Sequence, residues 1–156
     1  MTKVLAESAA LTEATPRILR AVCESIGWEV GIFWVADHHA RVLRSMKAWH
    51  SASIESAVFE QASQQTALGP GVGLPGRVWE KGAPAWIQDV TKDTNFPRVA
   101  AAVKSGLHAA FAFPVTTARA PLGVFGVLQP PFTAARSRFA GYARCHWKPD
   151  WTIHGA

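Results

Sequence analysis

The chain has 156 residues, 49% of them hydrophobic and 17% charged, with a formal net charge of +5. That length suits one domain burying roughly two-thirds of its unfolded surface, and the composition excludes a disordered or low-complexity chain. No apolar run reaches the ~18 residues of a membrane helix, and the opening MTKVLAESAALTEAT lacks the apolar block of a secretory leader, so a cytoplasmic protein without a membrane partner is expected.

The positive charge is uneven. Residues 130–156 hold Arg136, Arg138, Arg144 and Lys148 against the single acid Asp150, while the body before them is nearly neutral. A nucleic-acid partner, which wants a basic face on the folded domain, is not expected. The two cysteines, Cys23 and Cys145, are far apart and form no CxxC, which argues against a disulfide framework or a zinc knuckle.

In chain order, residues 3–14 are helix-permissive, and Pro16 to Ile26 reads as a clearer helix, with Thr15 as its cap, Gly27 as its stop and an apolar stripe of Ile18, Leu19, Val22, Cys23 and Ile26. Trp28 to Ala36 reads as a buried strand, Asp37–Ala40 as a turn, and Arg41 to His50 as the return strand of a hairpin. Ser51 or Ser53 can cap a helix over Ile54–Gln64. Gly69, Pro70, Gly71 and Gly73 break regular structure before a short helix over Leu74–Lys81, stopped by Gly82. A short strand over Ala83–Ile87, a polar loop over Asp89–Phe96 and a short helix over Pro97–Ser105 follow. The segments His108–Val115 and Leu122–Gln129 are two more strands, joined through Thr116–Pro121. Hairpins at both ends of this set predict an α+β fold with an antiparallel sheet, the first helix on one face and the short helices on the other. After Leu128 no sustained period remains, beyond a helix-permissive stretch near Thr133–Arg144.

Gly71-x-Gly73-x-x-Gly76 fits the GxGxxG pattern formally, but a polar helix end rather than a strand precedes it and the following helix is only two turns. The glycines are better read as permitting a tight approach of loop to helix. His38 and His39 lie in a turn and point apart, and with His50 they offer no third ligand at a metal-binding spacing. No metal site is assigned.

With the elements in this order, three stretches resemble GAF domains, especially those of bacterial histidine kinases and cyclases. They are TPRILRAVCESIGWEVGIFWV, GVGLPGRVWEKGAPAWIQDV, and GLHAAFAFPV with LGVFGVL; together they span about Thr15 to Leu128. The resemblance implies an antiparallel sheet of five to six strands, helices on both faces, and a small-molecule pocket on one of them. It sets a sensory domain over residues 1–129 and a divergent basic tail over 130–156. GAF domains usually close with a long amphipathic helix, and the tail shows no such pattern; divergence, truncation and a reading-frame change near Leu128 each account for that.

The resemblance places pocket candidates at Trp34, Trp49, Trp86, Asp89, Asp93, Phe96, His108, Phe111 and Phe113. Each has a plainer role available: aromatics at alternate strand positions fill cores, and Asp89 and Asp93 cap turns. The ligand and any cofactor are not specified. Cyclic-nucleotide-binding GAF domains carry N-K-x-x-F-x-x-x-D-E, of which only KDTNF at Lys92–Phe96 is present, and neither cysteine sits where a bilin would attach. The implied function is a regulatory, non-enzymatic binding domain of a two-component or cyclase sensor, acting as a homodimer or on a signalling partner. The alternatives are a dimerisation-only domain and a free methionine sulfoxide reductase. The latter needs a thiolate pair in the pocket, and the core strands hold no cysteine.

Overall fold

The computed structural model describes residues 2–52, 54–116 and 121–130, and in the first helix the side chains of residue 10 and of 13 onward. The tail, the hairpin connection at 117–120 and the helix-permissive stretch near Thr133–Arg144 lie outside the described residues.

Six strands form one antiparallel sheet: β1 (Val30–Asp37), β2 (Val42–His50), β3 (Ala67–Leu68), β4 (Ala85–Ile87), β5 (Ala109–Thr116) and β6 (Pro121–Gln129), in the order β3-β2-β1-β6-β5-β4. Among the described residues four α-helices accompany it: α1 (Thr2–Ile26), α2 (Ala57–Gln65), α3 (Gly73–Lys81) and α4 (Val99–Lys104). The expected α+β fold with helices on both faces is therefore present. β3 was not anticipated, because two residues carry no periodicity; Leu68 pairs with Leu43 at the sheet edge.

β1 lies inside the sheet, between β2 and β6. Its alternation divides the core in two. Val30, Ile32 and Trp34 face α2, α3 and α4, among Phe59, Leu74, Val78, Phe96 and Ala102. Phe33 and Val35 face the other way, where Leu19 of α1 packs with Phe125. Gly31 lets α1 close on the sheet: a Cβ there would lie 2.8 Å from the Cys23 Sγ and 3.2 Å from a Leu19 methyl carbon. Each fully buried large side chain contributes about 1.5–3 kcal/mol relative to exposure.

The largest differences from the expected element starts are at two helices. α1 runs from Thr2, taking in the helix-permissive residues 3–14 as one helix with Pro16 inside it rather than beginning at Pro16. The preceding Ala-, Leu- and Glu-rich sequence is strongly helix-forming, which offsets the cost of one proline. α2 begins at Ala57 behind Ser56, whose hydroxyl donates to Glu60. Ser51 instead donates its hydroxyl to the Glu29 carboxylate, tying the end of β2 to the start of β1.

The Gly69–Gly76 loop packs backbone on backbone. The Gly71 N–H donates to the Gly76 carbonyl at 2.9 Å, and a Cβ on Gly76 would sit 2.4 Å from the Gly69 carbonyl oxygen. Because the obstructing atom is main chain, a methyl group forces the loop away from α3. Gly76→Ala is expected to cost about 1–3 kcal/mol, read as a lower urea midpoint at unchanged slope.

Candidate functional site

The face covered by α2, α3 and α4 holds a charged group that its surroundings do not neutralise. Arg98, at the residue before α4, is 5% exposed. Its Cζ lies 4.8 Å from the Trp34 ring centroid, 4.7 Å from that of Phe59 and 5.1 Å from that of Phe96. The Phe59 and Phe96 rings are nearly parallel, 8° apart in plane with centroids at 6.5 Å. β1, α2 and the loop before α4 thus supply one aromatic wall each.

Among the described residues one hydrogen bond holds the guanidinium. Nη1 donates to the Ser63 Oγ at 2.8 Å, and that hydroxyl donates in turn to the Phe59 carbonyl at 2.8 Å. Among the described residues the buried Nε has no hydrogen-bond partner, nor does the Ser105 Oγ at the end of α4. Among the described residues no carboxylate pairs with Arg98. Burial alone pushes its pKa down to about 9, so the group is still a cation at neutral pH. Cation–π attraction to three rings offsets part of the desolvation. It supplies no hydrogen-bond acceptor to Nε.

The sequence candidates separate into groups. Trp34 and Phe96 are buried and join this box. Trp49, Phe111 and Phe113 do not share it. Trp49 and Phe113 pack on the α1 face with Leu19, Phe33 and Phe125, and Phe111 is in ring contact with Phe113. Trp86 sits on the edge strand β4 and is 49% exposed.

Trp49 crosses the sheet because of a β-bulge. Phe33 pairs with Lys47 but Trp34 pairs with Ser45, so Met46 is an extra residue on β2. The insertion reverses the parity of everything after it, and Trp49 falls opposite Gly31 rather than on the Trp34 face.

Asp93 and Asp89 are both engaged locally. Asp93 accepts from Arg77 Nη2 at 2.9 Å through one oxygen and from the Asn95 N–H at 2.7 Å through the other. Asn95 then bridges the glycine loop, donating to the Gly71 carbonyl at 2.8 Å and accepting from the Gly73 N–H at 3.0 Å. Asp89 accepts from the Thr91 N–H and hydroxyl, and its carboxylate lies 3.3 Å from His108 Nδ1. Among the described residues no cluster of three His, Cys, Asp or Glu could hold a metal ion. None of their helices is long and apolar enough to cross a membrane.

Sequence reading missed Arg98, Phe59 and Ser63. The one available signal was a lone arginine interrupting the apolar run FPRVAAAV. Nothing local distinguishes it from a surface charge at a helix start.

The Thr91 hydroxyl, above all, holds the Asp89 carboxyl below its usual range, with the Thr91 N–H, His108 and Lys92 adding to it against partial desolvation. A depressed carboxylate stabilises the fold above its unfolded pKa and loses that contribution as pH falls through the folded one. Wild type is therefore expected to be more stable than Asp89→Asn near neutral pH. The gap should close on acidification below about pH 4; thermal melts across pH check this, and a gap independent of pH would contradict it.

The sequence profile of the GAF domain family matches residues 8–142. No curated protein matches the chain. Among solved structures, the chain is similar to the GAF domain of nlh2 from A. aeolicus in an inactive state, at 19% identity and a TM-score of 0.60, covering 81% of this chain and 72% of that one. It is similar to free methionine-R-sulfoxide reductase from Neisseria meningitidis, solved with its substrate, at 15% identity and 0.59, covering 86% and 73%. A third is NreA from Staphylococcus aureus, mutated in its nitrate-binding site, at 15% identity and 0.60, covering 76% and 85%. At these identities the structures share the fold, and the family match extends over most of the sequence: this chain belongs to the GAF domain family.

Proposed function

We propose that this GAF domain is a regulatory module that binds a small molecule at the Arg98 box and passes its occupancy to a signalling partner or a second copy of the chain, in the cytoplasm. The observation that carries this is the buried cation. Arg98 is charged at neutral pH, enclosed by three aromatic rings, and left without a carboxylate among the described residues. A site whose polar atom is incompletely satisfied until something binds is what a sensor needs, since the ligand then favours one packing over another. Arg98 also spans α4, α2 and β1 through Ser63, Phe59 and Trp34. A ligand competing for the guanidinium would loosen or tighten that three-way contact. α1 rests on the opposite face of the same strand, which gives the change a route to the N-terminal helix.

Stability gives one test. A cation whose folded pKa is depressed contributes nothing favourable at neutral pH; its penalty lifts only as pH rises through about 9 toward the unfolded arginine range. Replacing it by an unbranched apolar side chain removes the penalty, and Ser63 keeps its bond to the Phe59 carbonyl. Arg98→Met is expected to be about 1–4 kcal/mol more stable than ligand-free wild type, measured by urea unfolding. A destabilised but folded Arg98→Met would show that the arginine is a structural staple instead. Native mass spectrometry of the purified chain, which reports any retained small molecule, tests the binding directly.

The likeness to a methionine sulfoxide reductase motivates an enzymatic reading. Cys23 argues against its own part in one. It is buried on the α1 face, across the sheet from Arg98, and desolvation, with Glu24 and Glu29 adding to it, pushes its thiol up to about 12. Thiolate chemistry at neutral pH needs the opposite shift. Cys23 in the native protein is expected to resist iodoacetamide at about pH 8 and to react once unfolded in urea. Peptide mass spectrometry distinguishes it from Cys145, and rapid native labelling of Cys23 would reopen the enzymatic reading.

A further inference from the structure

Arg98 also specifies what kind of molecule the site takes. We propose that it binds a planar, singly charged oxyanion, a carboxylate or a nitrate-like group, received side-on by the Nε–H and Nη2–H pair. This rests on the reading of the Arg98 box as a ligand site.

The donors set the direction of approach. Nη1 is committed to the Ser63 Oγ, and the Ser63 proton is committed to the Phe59 carbonyl. Ser63 therefore offers the cation a lone pair and has no proton left for an anion. The buried, unpartnered Nε lies on the other edge of the guanidinium. Along that edge Nε–H and Nη2–H run parallel, at the spacing of two oxygens on one trigonal centre. The aromatic walls supply a π-face for the cation's charge but no oxygen lone pair, and among the described residues Nε has no hydrogen-bond acceptor.

Charge sets the valence. One negative charge neutralises the one buried cation. A second would remain uncompensated against Trp34, Phe59 and Phe96, at a cost of several kcal/mol. A tetrahedral dianion such as sulfate is disfavoured on both counts, and a neutral amide of the same shape brings no compensating charge. The apolar walls favour a small flat group, or a carboxylate carried on an apolar body.

The test titrates the 15N-labelled full chain with sodium formate, acetate and nitrate, and with sulfate, chloride and neutral acetamide, at matched ionic strength. The readouts are the Arg98 Nε–Hε resonance and the Tm. Wild type is expected to show a saturable resonance shift with the three planar monoanions. Its Tm should rise by on the order of 5 °C at a hundredfold excess over Kd, with little response to sulfate, chloride or acetamide. Arg98→Met should lose the Tm response, and Arg98→Lys, which keeps the charge without the fork, should bind at least about tenfold more weakly. If Arg98→Met does not fold, the wild-type resonance and Arg98→Lys still decide. A stronger response to acetamide or sulfate in wild type that Arg98→Met loses overturns the oxyanion assignment and leaves ligand binding at the box standing, whereas an equal Tm response in Arg98→Met places binding elsewhere and overturns both. If no compound moves the Arg98 resonance and native mass spectrometry finds nothing retained, both readings fall together.

Discussion

Strand β1 is buried on both faces, and because successive side chains point to opposite sides, each of its residues must serve one layer or the other. Gly31 serves α1 by having no side chain: Leu19 and Cys23 occupy the space a methyl group would need. Trp34 serves the opposite layer by presenting its ring to Arg98. The two layers are therefore mechanically joined through a strand one side chain thick. That arrangement is why a change in the packing of α2 and α4 has a short path to α1.

Arg98 is the place where this economy is broken. An apolar side chain would fill the same space without the cost of burying a cation, and three aromatic rings recover only part of that cost. Stability forgone at one buried position, next to an orphaned N–H, is the pattern expected where a fold keeps a group for binding rather than for packing. Most other polar side chains described on that side of the molecule are engaged: Asp93, Asn95 and Arg77 with one another and with the glycine loop, Asp89 with Thr91 and His108.

The glycine-rich segment before α3 has a correspondingly structural role. Its carbonyls and N–H groups are taken up by Asn95, by Arg77 and by one another, and Gly76 admits the Gly69 carbonyl where any side chain would collide with it. The segment pins α3 to the polar loop that runs on into Arg98.

Local chemistry was enough to determine the longer elements and their order, though not the two-residue β3. β-branched and aromatic runs marked the strands, Gly27, Gly82 and Gly106 stopped helices in left-handed conformations, and hairpin spacing implied antiparallel pairing. The motifs of residues 71–90 were specific enough to imply the GAF family that the profile match identifies. What the sequence could not decide was which side chains meet. A single extra residue at Met46 moves Trp49 to the far face, since strand parity has period two and one insertion inverts it. The pairing of β5 with β6 turns Phe113 toward α1 and leaves Ala110 and Ala112 on the helix-covered face. Arg98 was invisible for a related reason. Burial of a charge depends on groups far apart in the chain, here Trp34, Phe59, Ser63 and Phe96, and only the tertiary fold brings them around one guanidinium.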